Sequence, residues 1–130
     1  MVNREPECIG ATIHLAVLNV DAGGILAQVR SEPERSDRGH ELGTKTIIAG
    51  FDAMPRALSM YLSGRIKAHK QDLSKGSVYR RNDFNAEATV KMWRHFETGM
   101  MSEYLADRKE RLDRYPIVDL PEHINTGTDR

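Results

Sequence analysis

With 130 residues, 39% of them apolar and 29% charged, the chain has the size and composition of one globular domain and is too apolar for a disordered one. Its one cysteine, Cys8, excludes an internal disulfide framework. A charged, proline-bearing start and a longest apolar run (residues 9–20) too short for a bilayer-spanning helix point to a cytoplasmic protein with no membrane partner. Formal charge sums to zero but is unevenly placed. Residues 1–55 carry five basic against eight acidic side chains, residues 56–81 seven against one, and residues 82–130 seven against ten. A segment of net +6 therefore lies between two of −3.

In chain order, Ile9, Ala11, Ile13, Leu15 and Val17 alternate at period two, which predicts a strand over residues 9–20. Asp21, Ala22, Gly23 and Gly24 read as a turn, because glycine reaches positive φ without steric cost. Residues 25–30 then return as a second strand, with Ile25, Ala27 and Val29 facing inward. A single helix across both would hold two central glycines, a cost of about 2 kcal/mol relative to alanine. Residues 31–43 offer almost nothing to bury and read as a solvated loop. Thr44, Thr46 and Ile48 alternate with Lys45 and Ile47, predicting a third strand over residues 44–49.

Beyond residue 50 the period changes. Phe51, Met54, Leu58, Leu62, Ile66, His69 and Leu73 recur at spacings of three and four, the core-facing stripe of a first helix over residues 52–73. Asp52 suits its N-cap, Pro55 its first turn and Gly76 its stop. Asn85 can cap a second helix over residues 85–114, with a stripe of Ala86, Val90, Trp93, Phe96, Met100 and Tyr104. Arg108, Lys109, Arg111 and Arg114 suit its C-terminal dipole, and Pro116 discourages continuation. Residues 115–130 read as an extended strip able to lie on the domain's own surface. The expected fold is α+β, one domain over residues 1–130: a three-stranded, mainly antiparallel sheet (9–49) packed against two amphipathic helices.

A basic strip is the main candidate site. On a helical wheel Arg56, Lys67 and Lys70 lie with Ser63 and Ser74 opposite the Leu58, Leu62 and Ile66 stripe. Lys75, Tyr79, Arg80 and Arg81 continue it. Such a set can meet phosphates through Lys and Arg, with Tyr79 stacking on a base; a solvated helix face is the ordinary reading. Arg65 and His69 in the first apolar arc and Glu97 in the second suggest an interhelix ion pair or, less ordinarily, an acid–base pair. The histidines (His14, His40, His69, His95, His123) lack ligand spacing, so neither metal nor cofactor is expected. Cys8 has no neighbouring base and suits a small buried role. These features favour a non-enzymatic binding or regulatory module contacting nucleic acid or a nucleoprotein through Arg56, Lys67, Lys70, Lys75, Tyr79, Arg80 and Arg81. The rival is a protein-interaction subunit of a homo-oligomer or larger assembly, using the second helix and the C-terminal strip. A small enzyme comes third.

Overall fold

The period-two alternation is realised in a short hairpin. A computed structural model of the chain describes residues 1–18, 22–72 and 77–121. In it β1 (Ala11–His14) runs antiparallel to β2 (Ile25–Val29), with Ala11 opposite Val29, Thr12 opposite Gln28 and Ile13 opposite Ala27. The register breaks between Ile13 and His14, which faces Ile25. The residue skipped on β2 is Leu26, and it is buried together with Ala27. Gly23 has no alternative in the bend before β2, since a Cβ there would lie 1.6 Å from the Leu15 carbonyl oxygen. Asp21 of the expected turn lies outside the described residues.

Among the described residues the architecture is a two-stranded sheet with four helices, not three strands on two helices. The free edge of β2 is covered by other means. Ile25 exchanges both backbone hydrogen bonds with His69 at 2.8 Å, and the Gln28 backbone N–H donates to the Val118 carbonyl at 2.7 Å. The Gln28 side-chain oxygen accepts from the Val118 N–H at 3.2 Å. Two segments from far along the chain thus satisfy an edge that a third strand would otherwise pair.

The residues expected to form that third strand belong to α1 (Gly39–Leu62). Its start is set upstream of them. The Glu41 carboxylate accepts the Arg38 backbone N–H at 2.7 Å, and the buried Asp37 carboxylate accepts the Glu34 N–H at 2.7 Å and the Lys45 ammonium at 2.9 and 3.0 Å. Nucleation is the costly step in helix formation, whereas each β-branched residue in a running helix costs only tenths of a kcal/mol. Thr44, Thr46, Ile47 and Ile48 are therefore carried along. The expected cap at Asp52 falls mid-helix, and so does Pro55, which has no N–H to offer the Phe51 carbonyl. Both residues are exposed. The helix ends at Leu62, short of the expected residue 73, and Gly64 follows at φ +73°. Residues 31–38 form the only part of the expected loop outside the helix; Arg108 holds Glu32 in a two-pronged pair at 2.7 and 2.9 Å, and Ser31 meets Thr46 at 3.2 Å.

The expected second helix is three: α2 (Ala86–Glu97), α3 (Met100–Ala106) and α4 (Arg108–Arg114). Asn85 caps the first through its side-chain oxygen, which accepts the Ala88 N–H at 3.0 Å. Gly99, at φ +87°, breaks the run, because the left-handed conformation ends a helix and is adopted at least cost by a residue without a Cβ. The break lets Met100, Met101 and Tyr104 turn inward beside Phe96 and against Leu42 of α1, with Met1, Ile9, Met92 and Leu105 around them. Residues 115–121 of the expected strip lie on the domain, and the rest of it lies outside the described residues: Arg30 donates to the Tyr115 carbonyl at 2.5 Å and Arg56 to that of Pro121.

Candidate interaction surface

α1 has two unlike faces. Towards the hairpin it buries small residues, Thr46, Gly50 and Ala57, with Leu42 and Met60 near its ends. Gly50 is required by closeness: a Cβ there would lie 2.9 Å from the Ala11 side chain. Small side chains bring the helix backbone down onto the sheet. The opposite face then carries the bulk. Ile47, Ile48, Phe51, Met54, Leu58 and Leu62 are all substantially exposed, Phe51 at 65% and Leu62 at 75%. The stripe of period three and four is real, but from Phe51 to Leu62 it points away from the core it was expected to build. Ile66 and His69 leave the helix altogether, and Leu73 lies outside the described residues.

Charge is absent from this face. Between residues 44 and 62 the charged residues are Lys45, Asp52 and Arg56, which a helical wheel places to one side of the Ile47, Phe51, Met54, Leu58 and Leu62 line. Arg56 is half-buried and engaged with the Pro121 carbonyl, and Lys45 is held by Asp37. Burial pushes the Asp37 carboxyl up, but the Glu34 N–H and Lys45 outweigh it and hold the group below the usual aspartate range. The hydrogen bond from Lys45 to Asp37 in turn raises the ammonium. Contiguous exposed apolar side chains of this kind are uncommon on the surfaces of monomeric proteins. Among the described residues no helix is long and apolar enough to cross a membrane.

The basic residues do not share a helix face. Arg56 is on α1 beside the C-terminal strip, whereas Lys67 and Lys70 lie on the extended segment that follows, flanking the His69 bridge. Tyr79 and Arg80 precede a single helical turn, Arg81–Asp83, and the Tyr79 hydroxyl accepts from the Asn3 amide at 2.9 Å. Lys75 lies outside the described residues. Lys67, Lys70, Arg80 and Arg81 are exposed, and no ion pair among the described residues engages them.

Nor do the polar residues of the apolar arcs form a pair. Glu97 ends α2 exposed, Arg65 is exposed with its Nε donating to the Ser63 hydroxyl at 3.0 Å, and His69 serves β2 through its backbone. The bend at Gly99 and the early end of α1 remove the long helix–helix seam that would have brought them together. Cys8 is exposed rather than buried, and desolvation of its sulfur, with Glu5 and Glu7 nearby, raises its thiol pKa. That lowers the thiolate fraction a nucleophile needs. No known protein family matches the chain, and no solved structure matches it.

Proposed function

We propose that this chain is a non-catalytic protein-association module whose working surface is the outward face of α1. One observation carries the reading: six large apolar side chains, Ile47, Ile48, Phe51, Met54, Leu58 and Leu62, stand exposed on one helix while its small residues face the core. A helix that needed only its own fold would turn the bulky stripe inward. The interaction-subunit role expected from the sequence is retained, but its surface moves from the second helix and C-terminal strip to α1. Val90 and Trp93 on α2 add further exposed apolar area, whereas the described part of the strip, residues 115–121, is engaged with β2 and Arg56. The test is photo-crosslinking in the native host with a benzophenone amino acid at Phe51 and, for comparison, at Asp113. Protein adducts at position 51 and none at 113 support the reading; no adduct at 51 rejects it.

A second reading, contact with nucleic acid, rests on Lys67, Lys70, Arg80 and Arg81, which are exposed and outside the ion pairs of the described residues. They form two groups on separate segments rather than one helical strip. Salt-sensitive binding that falls when these charges are reversed is its test.

A further inference from the structure

We propose that the partner covering α1 is a second copy of this chain, docked antiparallel about a twofold axis that passes between Met54 and Pro55. This rests on the reading that the outward face of α1 is an association surface, and it names the occupant.

The argument begins with spacing. A twofold interface between two copies of one helix is isologous, so each residue on one side of the axis must find a suitable partner the same distance beyond it. The outward apolar residues Ile47, Phe51, Met54, Pro55, Leu58 and Leu62 follow one another at steps of four, three, one, three and four. That series is the same in both directions. With the axis between Met54 and Pro55, Ile47 meets Leu62 of the second copy, Phe51 meets Leu58, and Met54 meets Pro55. Each bulky group thus meets an apolar neighbour, and the largest, Phe51, meets the branched Leu58.

Charge points the same way. A charge on the contact line of an apolar helix pair would be buried without a partner, so charge belongs outside that line. The charged residues between 44 and 62, Lys45, Asp52 and Arg56, lie off that line, and two of the three are already engaged within the chain. A surface for an acidic or basic peptide would present complementary charge here, and one for a lipid surface would be rimmed by Lys and Arg. This face presents neither.

Area is compatible with this. From their fractional exposures the six side chains expose on the order of 700 Å² per copy, an upper bound on what they can bury, beside the roughly 800 Å² per partner of a stable protein interface. The stripe runs along most of the outer length of α1, so a helix pair along it covers the exposed apolar side chains of that helix.

The experiment is disulfide trapping in chains whose own thiol is removed by Cys8→Ser. Chains carrying Ile47→Cys are mixed with chains carrying Leu62→Cys and oxidised mildly. In the antiparallel dimer positions 47 and 62 face each other, whereas 47 and its own symmetry mate lie about 22 Å apart at roughly 1.5 Å per residue. A disulfide needs Cα atoms within about 7 Å. The expected result is a linked heterodimer from the mixture and no linked dimer from either chain alone. Circular dichroism of each chain, matching that of wild type, shows that the folds are intact. Linkage of Ile47→Cys chains to one another would overturn the antiparallel arrangement. No linkage in any sample, with adducts to another protein at position 51 in the host, would overturn the second copy and keep the association surface. No linkage and no adducts would reject both.

Discussion

The α-carbon of Gly50 lies so close to β1 that a Cβ on it would come within 2.9 Å of the Ala11 side chain. This approach orients α1. With Gly50, Thr46 and Ala57 against the hairpin, Phe51, Met54 and Leu58 are left on the outside. Gly50→Leu forces the helix away from the sheet, and we expect a loss of about 1–3 kcal/mol from overpacking. Chemical denaturation followed by circular dichroism measures it; an unchanged midpoint would show that the helix does not depend on this contact.

Phe51→Ser is expected to behave in the opposite way. At 65% exposure the ring supports little of the fold, so unfolding stability of the isolated chain at low concentration changes by no more than about 0.5 kcal/mol. Association, read by the concentration dependence of elution volume, is lost. A large drop in stability in dilute solution would place Phe51 in the chain's own core.

Asp37 gives a pH prediction. Its folded-state pKa is depressed, so its stabilising contribution is full above the unfolded value of about 3.9 and is lost as pH falls through the lower folded value. Lys45, raised by the same pair, acts in the other direction: its contribution is present at neutral pH and lost as pH rises through its elevated value. Asp37→Asn removes the closer of the ammonium's two carboxylate partners, Asp37 and Glu34, at a site only 4% exposed and should cost about 1–3 kcal/mol at pH 7. It should also flatten the stability profile below about pH 4, as thermal melts across that range would register. An equally steep acid profile in the variant would assign the acid sensitivity to other carboxylates.

For the nucleic-acid reading, Lys67→Glu with Lys70→Glu is informative because both lie beyond α1 and leave its apolar face intact. If both lysines contact phosphate, the slope of log binding constant against log salt should fall by about two units. Fluorescence anisotropy with a labelled oligonucleotide reads it, and wild-type protein that shows no salt-sensitive binding would remove this reading.

What was legible in the sequence was local pattern. The Asn85 cap and the period of three to four from Phe51 to Leu62 hold in the fold, and the two expected strands are present but shorter, at residues 11–14 and 25–29, with the alternation broken where Leu26 is buried beside Ala27. What pattern could not convey was direction. Hydropathy marks Phe51, Met54 and Leu58 as one face but is silent on whether that face meets this chain or another. The smaller residues were the missed signal: Thr46, Gly50, Ala53 and Ala57 recur at three and four on the opposite side, which close helix–sheet approach requires. Local propensity also misled at Thr44, Thr46, Ile47 and Ile48, where a helix already started by Asp37 and Glu41 overrode β preference. Gly99 breaks the second helix through its positive φ, and a lone glycine inside an apolar period carries no mark of whether it will adopt one. The basic residues were visible as charge, but their separation onto different segments followed from where α1 stops.

The most direct measurement of the central claim is sedimentation equilibrium of the purified wild-type chain beside Leu58→Asp over a wide concentration range. Leu58 faces Phe51 of the second copy, so a carboxylate there would be buried against an aromatic ring with no partner. The account predicts that wild type rises from the chain mass of 14.7 kDa to twice that value with increasing concentration, while Leu58→Asp stays at the chain mass with an unchanged circular dichroism spectrum. Wild type remaining at the chain mass throughout, or Leu58→Asp dimerising as well as wild type, would contradict it.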